Sequence, residues 1–225
     1  MLSLCVLGDL LRNSNTIRPR PGNMSRLKTD SRPYHHGNLR QALLQAAEIA
    51  LEARGVTGIS LRELSRDVGV SHTSPRRHFA DKQALLDALA QTGFQRLDAI
   101  LAEAAKKRVR NFAARLTKFA QAYVEFALKH PALWVLMLEA KHRPGAPREL
   151  LEASDAAFSK GPALIKEGQA VGEVVPGDPS RLSLTLGAAL LGLVSISTEG
   201  KFKAVPVETL VPGIVKHILL GLRPR

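Results

Sequence analysis

Apolar residues return at intervals of three and four along most of this chain, a periodicity that predicts one helix after another. Between Asn38 and Arg54, Leu39, Leu43, Ala46, Ala47, Ala50 and Leu51 mark one helix face, and Gly55 supplies a stop. Ser60-Leu61-Arg62-Glu63 has the form of a capping box. There the Ser60 hydroxyl accepts from the Glu63 NH and the Glu63 carboxylate accepts from the Ser60 NH, which predicts a short second helix ending before Gly69. Ser71 is placed to cap a third, very short helix through His78, and Phe79 joins Leu61, Leu64, Val68 and Val70 in one apolar set. Asp81 caps a long helix from Lys82 towards Lys106.

The pattern continues with helices over 109–129, 131–140, 147–170, 178–199 and 207–222. Pro131, Pro147 and Pro179 fall at or near helix starts, where a missing NH does no harm. No segment alternates with a period of two and no repeat is visible, so the expected fold is all-α. The loops 143–147 and 171–180 are expected to be the most mobile.

Two C-terminal segments change the picture. The stretch 178–199 is apolar on nearly every face, so both sides of its helix must be covered. Ser183, Thr185 and several Gly and Ala interrupt it, which favours burial between its own domain and a partner subunit over a bilayer. In 207–222 the residues Val207, Leu210, Val211, Ile214, Val215, Ile218 and Leu219 keep the same spacing, and Pro212-Gly213 must kink the helix or mark its start.

The chain has 225 residues, enough for one or two domains, and 32 Lys and Arg against 20 Asp and Glu, a net charge of +12. A basic excess points to nucleic acid, an anionic membrane or an acidic ligand without choosing among them. Its distribution is uneven: residues 1–37 hold six bases and two acids, 38–92 seven and six, 93–225 nineteen and twelve. Cys5, the only cysteine, excludes an intrachain disulfide and a thiolate zinc site, so a cytoplasmic protein is expected. The opening apolar stretch lacks a basic start and a cleavage site and is too short to span a bilayer; Met24, after a linker-like 13–23, is expected to be the true start.

Tyr34-His35-His36-Gly37-Asn38-Leu39-Arg40, then Ile59-Ser60-Leu61-Arg62-Glu63-Leu64-Ser65-Arg66-Asp67-Val68-Gly69-Val70-Ser71, then Arg77-His78-Phe79-Ala80-Asp81-Lys82-Gln83-Ala84-Leu85-Leu86 resembles the DNA-binding domain of TetR-type transcriptional regulators. The resemblance implies a homodimeric repressor, released by a small-molecule effector, that binds a palindromic double-stranded DNA operator. It implies three parts: a basic arm at 1–37, a helix-turn-helix domain at 38–98 and a helical effector-binding and dimerisation domain at 99–225. Dimerisation through 178–199 and 207–222 is implied with it. Ser71-His72 with Pro75 is similar to a subgroup bearing a Trp-His-Gly signature; here Gly187, Leu191 and Gly192 stand at those places.

The residue chemistry supports the same reading. A recognition helix presents its first side chains to base edges, and His72, Thr73 and Ser74, then Arg76, Arg77 and His78, can all donate hydrogen bonds there. Ser60 and Lys82 lie at helix starts, where NH groups favour a phosphate. Arg76 replaces a Tyr common in the family, keeping a donor and adding charge. Pro75 is expected to remove the first intrahelical bond and strain the Ser71 cap. Arg26, Lys28 and Arg32 form an arm suited to a minor groove or a solvated tail.

Phe112, Phe119, Tyr123, Phe126, Trp134 and Phe158 cluster in sequence; they read as ordinary core, or as an apolar effector pocket with Tyr123 and His142 as polar handles. Lys106, Lys107, Arg108, Arg110, Arg115 and Lys118 lie in an acid-free stretch, a solvated basic face or a site for an anionic effector. No cofactor or metal is expected: His35 and His36 lack the companions that a metal needs. With no nucleophile elbow, phosphate loop or His pair at helical spacing, an enzyme is not expected. The alternative is a helical ligand-binding or interaction protein that has lost specific DNA recognition through Pro75 and Arg76.

Overall fold

The computed structural model describes residues 39–106, 111–198 and 206–223. All the regular structure there is helical, as the periodicity predicts. The arm, Met24, the residues from Tyr34 to Asn38, and Lys107, Arg108 and Arg110 lie outside the described residues.

Helix α1 (Leu39–Arg54) buries Leu43, Leu44, Ala47, Ala50 and Leu51, the face marked by its apolar spacing. A 3-10 turn at Val56–Gly58 leads to α2 (Leu61–Val68). At its end Gly69 takes φ 77°, its NH meets the Arg66 carbonyl and the Val70 NH meets the Ser65 carbonyl, a Schellman stop that a side chain would strain. A second 3-10 turn, Ser74–Arg77, precedes α3 (Lys82–Ala104), where Asp81 accepts from the Ala84 NH at 2.8 Å. Leu85, Leu89, Phe94, Leu97 and Leu101 make α3 the spine of the core, fully buried along one side.

Around α3 stand α4 (Phe112–Lys129), α5 (Pro131–His142) and α6 (Arg148–Phe158); α7 (Lys160–Ala170) packs on α8 (Pro179–Thr198), and α9 (Val211–Leu222) packs on α4. Asn111 caps α4 through the Ala114 NH at 3.2 Å. The single helix expected over 147–170 is two. Pro162 has no NH to give the Phe158 carbonyl, and its ring would collide with that group, so the helix ends at Phe158 and restarts after Ser159. In the last segment Val207–Leu210 forms a 3-10 turn, and Pro212 marks the start of α9.

The loop 171–180, expected to be mobile, is tied at several points. The Val175 NH donates to the Leu222 carbonyl at 2.8 Å, and the Gln169 amide donates to the carbonyls of Val175 and Gly177 at 2.9 and 3.0 Å. Val174 is buried against Gly168 and Phe112; a Cβ on Gly168 would stand 2.5 Å from the Phe112 ring.

Helix α8 is covered on one side only. Leu186, Leu190, Leu193 and Val194 are buried, whereas Leu184 is 68% and Ile196 38% exposed, with Leu220 of α9 at 55%. Residues 179–197 are long and apolar enough to cross a membrane, at a mean hydropathy of 1.4. Soluble core helices pass the same length and composition test.

Candidate nucleic-acid interface

The expected third helix is a single 3-10 turn. An α-helix starting at His72 would drive the Pro75 ring into the Ser71 carbonyl, whereas a tighter turn starting at Ser74 puts Pro75 near its first position, where no NH is needed. The expected strain is therefore absent. Pro75 is buried, and its carbonyl accepts the NH groups of both His78 and Phe79 at 2.9 Å. Ser71 does not cap with its side chain. Its hydroxyl lies 2.7 Å from Ser74 Oγ and 3.2 Å from Thr73 Oγ1, and its carbonyl accepts the Ser74 NH.

The turn packs against α1 and α2, pinned by Pro75 and by Phe79, which is 3% exposed with the Arg40 guanidinium 5.4 Å from its ring centroid. Above this anchor His72, Thr73, Arg76, Arg77 and His78 are exposed and Ser74 is half-buried. Lys82 opens α3 just beyond, beside the Asp81 cap.

The capping box does not form. Ser60 precedes α2 in an extended conformation with no side-chain cap hydrogen bond, and the Glu63 carboxylate lies 3.7 Å from Arg54 of α1. The helix begins instead on the Ser60 carbonyl, which accepts the Leu64 NH at 2.9 Å.

Four of the seven residues of the expected pocket, Phe119, Tyr123, Phe126 and Trp134, share one stretch of core, and Phe112, Phe158 and His142 lie apart from them. Tyr123 meets Trp134 edge-on at 5.1 Å, and Phe126 lies 6.4 Å from Trp134. Phe119 is buried in the same core, and burial drives the Tyr123 phenol well above its ordinary value. Phe112 packs on the 168–174 corner. Phe158 meets Phe94 at 5.8 Å under the Lys141 ammonium, 4.3 Å from its centroid, and that ammonium is lowered by burial. His142 is exposed. A cleft of about 370 Å³ lies elsewhere, between the start of α3 and the α5–α6 loop, beside Asp87 and Arg143, which pair at 2.6 Å.

The basic cluster divides as well. Lys118 is exposed and Lys106 pairs with Glu103, but Arg115 is 7% exposed and donates to Glu167 at 2.5 Å.

Sequence reasoning passed over the groups that join α1 to the rest of the chain. Glu48 and Glu52 sit one turn apart; Glu48 takes Arg96 of α3, and Glu52 accepts the Ala132 and Leu133 NH groups at the start of α5, both at 3.2 Å. The acid pair at helical spacing was the available signal, but its partners lie about 50 to 80 residues away.

Residues 116–211 match the family model described as the tetracyclin repressor-like C-terminal domain. An HTH-type transcriptional regulator of Bacillus subtilis, YobS, is 34% identical over 97 residues, 43% of this chain and 49% of that one; the match thus spans about half the length of that curated relative. A solved structure of a protein with unknown function from Rhodococcus sp. RHA1 is 43% identical, covers 85% of this chain and 99% of its own, and superposes with a TM-score of 0.80. A bacterial regulatory protein in the tetR family from Rhodococcus RHA1 shares the fold at 18% identity, with 83% and 97% coverage and a TM-score of 0.64.

Proposed function

Because the chain belongs to the TetR-type transcriptional regulators, we propose that it is a dimeric, effector-released repressor that reads a palindromic operator through the Ser74–Arg77 turn. The observation that carries this reading is the pairing of a rigid base with a free rim. Pro75 and Phe79 are buried, while His72, Thr73, Arg76, Arg77 and His78 beside them are exposed donors. Donors on a fixed backbone suit base edges, because little side-chain and loop entropy remains to be lost on docking. Ser60 and Lys82, at the starts of α2 and α3, take phosphate oxygens in this reading.

In the same reading residues 38–98 form the DNA-binding unit, with 1–37 as its arm, and 99–225 bind the effector and the second subunit. The exposed apolar side chains Leu184 and Ile196 of α8 and Leu220 of α9 support pairing of these helices across a two-fold axis. Such a dimer sets its two reading turns about 34–36 Å apart, or a multiple, as successive major grooves require. The effector remains a small molecule taken up by the C-terminal helices, and the protein acts in the cytoplasm.

Footprinting on the DNA upstream of its own gene tests the proposal. Protection of one palindromic site, preferred by orders of magnitude over random DNA and weakened steeply by salt, is expected. Salt-dependent binding with no preferred site would leave a basic helical protein without operator recognition.

A further inference from the structure

Arg96 Nη1 donates to both Glu48 oxygens at 2.7 Å, and Arg96 Nη2 lies 3.0 Å from His130 Nε2. A guanidinium has only donors, so His130 Nε2 must offer its lone pair and the neutral ring must carry its proton on Nδ1. That N–H then faces Glu48 Oε1 at 3.5 Å. Glu52 holds the same corner through the Ala132 and Leu133 NH groups, giving α5 the cap that its own side chains do not supply. Residues from α1, α3 and the α4–α5 corner thus meet around one imidazole.

We infer that this junction is a proton-operated clasp, closed by the neutral Nδ1–H form of His130 and loosened when Nε2 takes a proton, so that acid uncouples α1 from the C-terminal helices. The inference deepens the proposed function, because it rests on α1 belonging to the DNA-binding unit.

Protonation removes the acceptor of Arg96 and sets one cation against another. The charged groups facing His130 are Arg96 from α3, Glu48 and Glu52 from α1, and Lys129 from α4. The two carboxylates favour the imidazolium, but Glu48 already holds Arg96 with both oxygens and Glu52 spends both of its own on backbone NH groups. Burial first and Arg96 second hold His130 below its ordinary 6.5 despite both acids. A histidine depressed in the folded state stabilises it fully above the unfolded value and loses that contribution as pH falls through the folded one. The clasp is therefore whole above about pH 6.5 and opens as the pH falls through the lower value that His130 has in the folded protein. An α1 released in this way must be ordered again on DNA, which lowers affinity.

NMR on the wild-type protein with labelled histidine and backbone amides reads the clasp directly. The Nδ1–H tautomer near neutrality, and a Leu133 amide that titrates together with His130, are expected. An Nε2–H tautomer, or a Leu133 amide indifferent to that titration, overturns the clasp whether or not the chain reads an operator. On operator DNA, lowering the pH from about 7.5 to 5.5 should cost the wild type at least about threefold more affinity than His130→Gln, which can still accept from Arg96 but cannot titrate. Every other histidine is common to the two proteins and cancels in this comparison. Equal pH profiles overturn the regulatory inference, whereas absence of any preferred site overturns the DNA-binding reading and leaves the clasp to the amide titration.

Discussion

The Phe79 amide donates to the Pro75 carbonyl at 2.9 Å, and both side chains are buried beneath the exposed Arg76 and Arg77. The relationship converts a residue hostile to α-helix into the footing of a short turn. It also separates two kinds of substitution, those that remove donors and those that remove the footing.

Arg76→Ala and Arg77→Ala belong to the first kind. Each should weaken operator binding by about 1–3 kcal/mol if its guanidinium meets a guanine edge, with melting temperature and dimerisation unchanged. An arginine that touches phosphate instead should weaken all sequences alike and reduce the salt slope by about one. Fluorescence anisotropy across a salt series on operator and scrambled DNA distinguishes these outcomes.

Phe79→Ala is of the second kind. Loss of a ring that is 3% exposed should cost about 3–5 kcal/mol of folding stability. Chemical denaturation should show it, and specific DNA binding should fall even with Arg76 and Arg77 in place.

Gly168→Ala tests the corner between α4, α7 and the loop after it. The added methyl would meet Phe112 and Val174 at 2.5 and 2.7 Å, and relieving that overlap should cost about 1–3 kcal/mol. A lowered melting temperature is expected; an unchanged one would mean that the corner is loosely packed.

Leu184→Glu tests the proposed subunit seam. Leu184 is 68% exposed in the single chain, so the change should leave the fold of one subunit intact while burying a charge in the dimer. Light scattering should then report monomers with unaltered helical content, and operator affinity should drop with the loss of the second half-site contact. A variant that remains dimeric would place the seam elsewhere.

Local chemistry made much of the fold legible. The spacing in α1, the Asp81 cap and the Gly69 stop each act within a few residues, so sequence sufficed for them. The same local rules misjudged the capping box, whose Ser60 hydroxyl makes no cap bond and whose Glu63 carboxylate sits near Arg54 of the preceding helix. They also passed over Pro162 as a helix breaker. For the candidate site, the donor types on 72–78 were legible and their 3-10 backbone was not, since that follows from how Pro75 packs on α1 and α2. Glu52 at the start of α5 and Asp87 on Arg143 were beyond reach for another reason. Such pairs depend on the angle at which helices cross, which no local pattern encodes.

The hydrogen bond from Val175 to Leu222 fastens the chain just before α8 to the last residue of α9. It ties the entry of α8 to the exit of α9. Such a tie resists sliding of one helix along the other and lets a push at the Phe112–Gly168 corner reach both. The proposed seam between subunits would then tilt as a single plate.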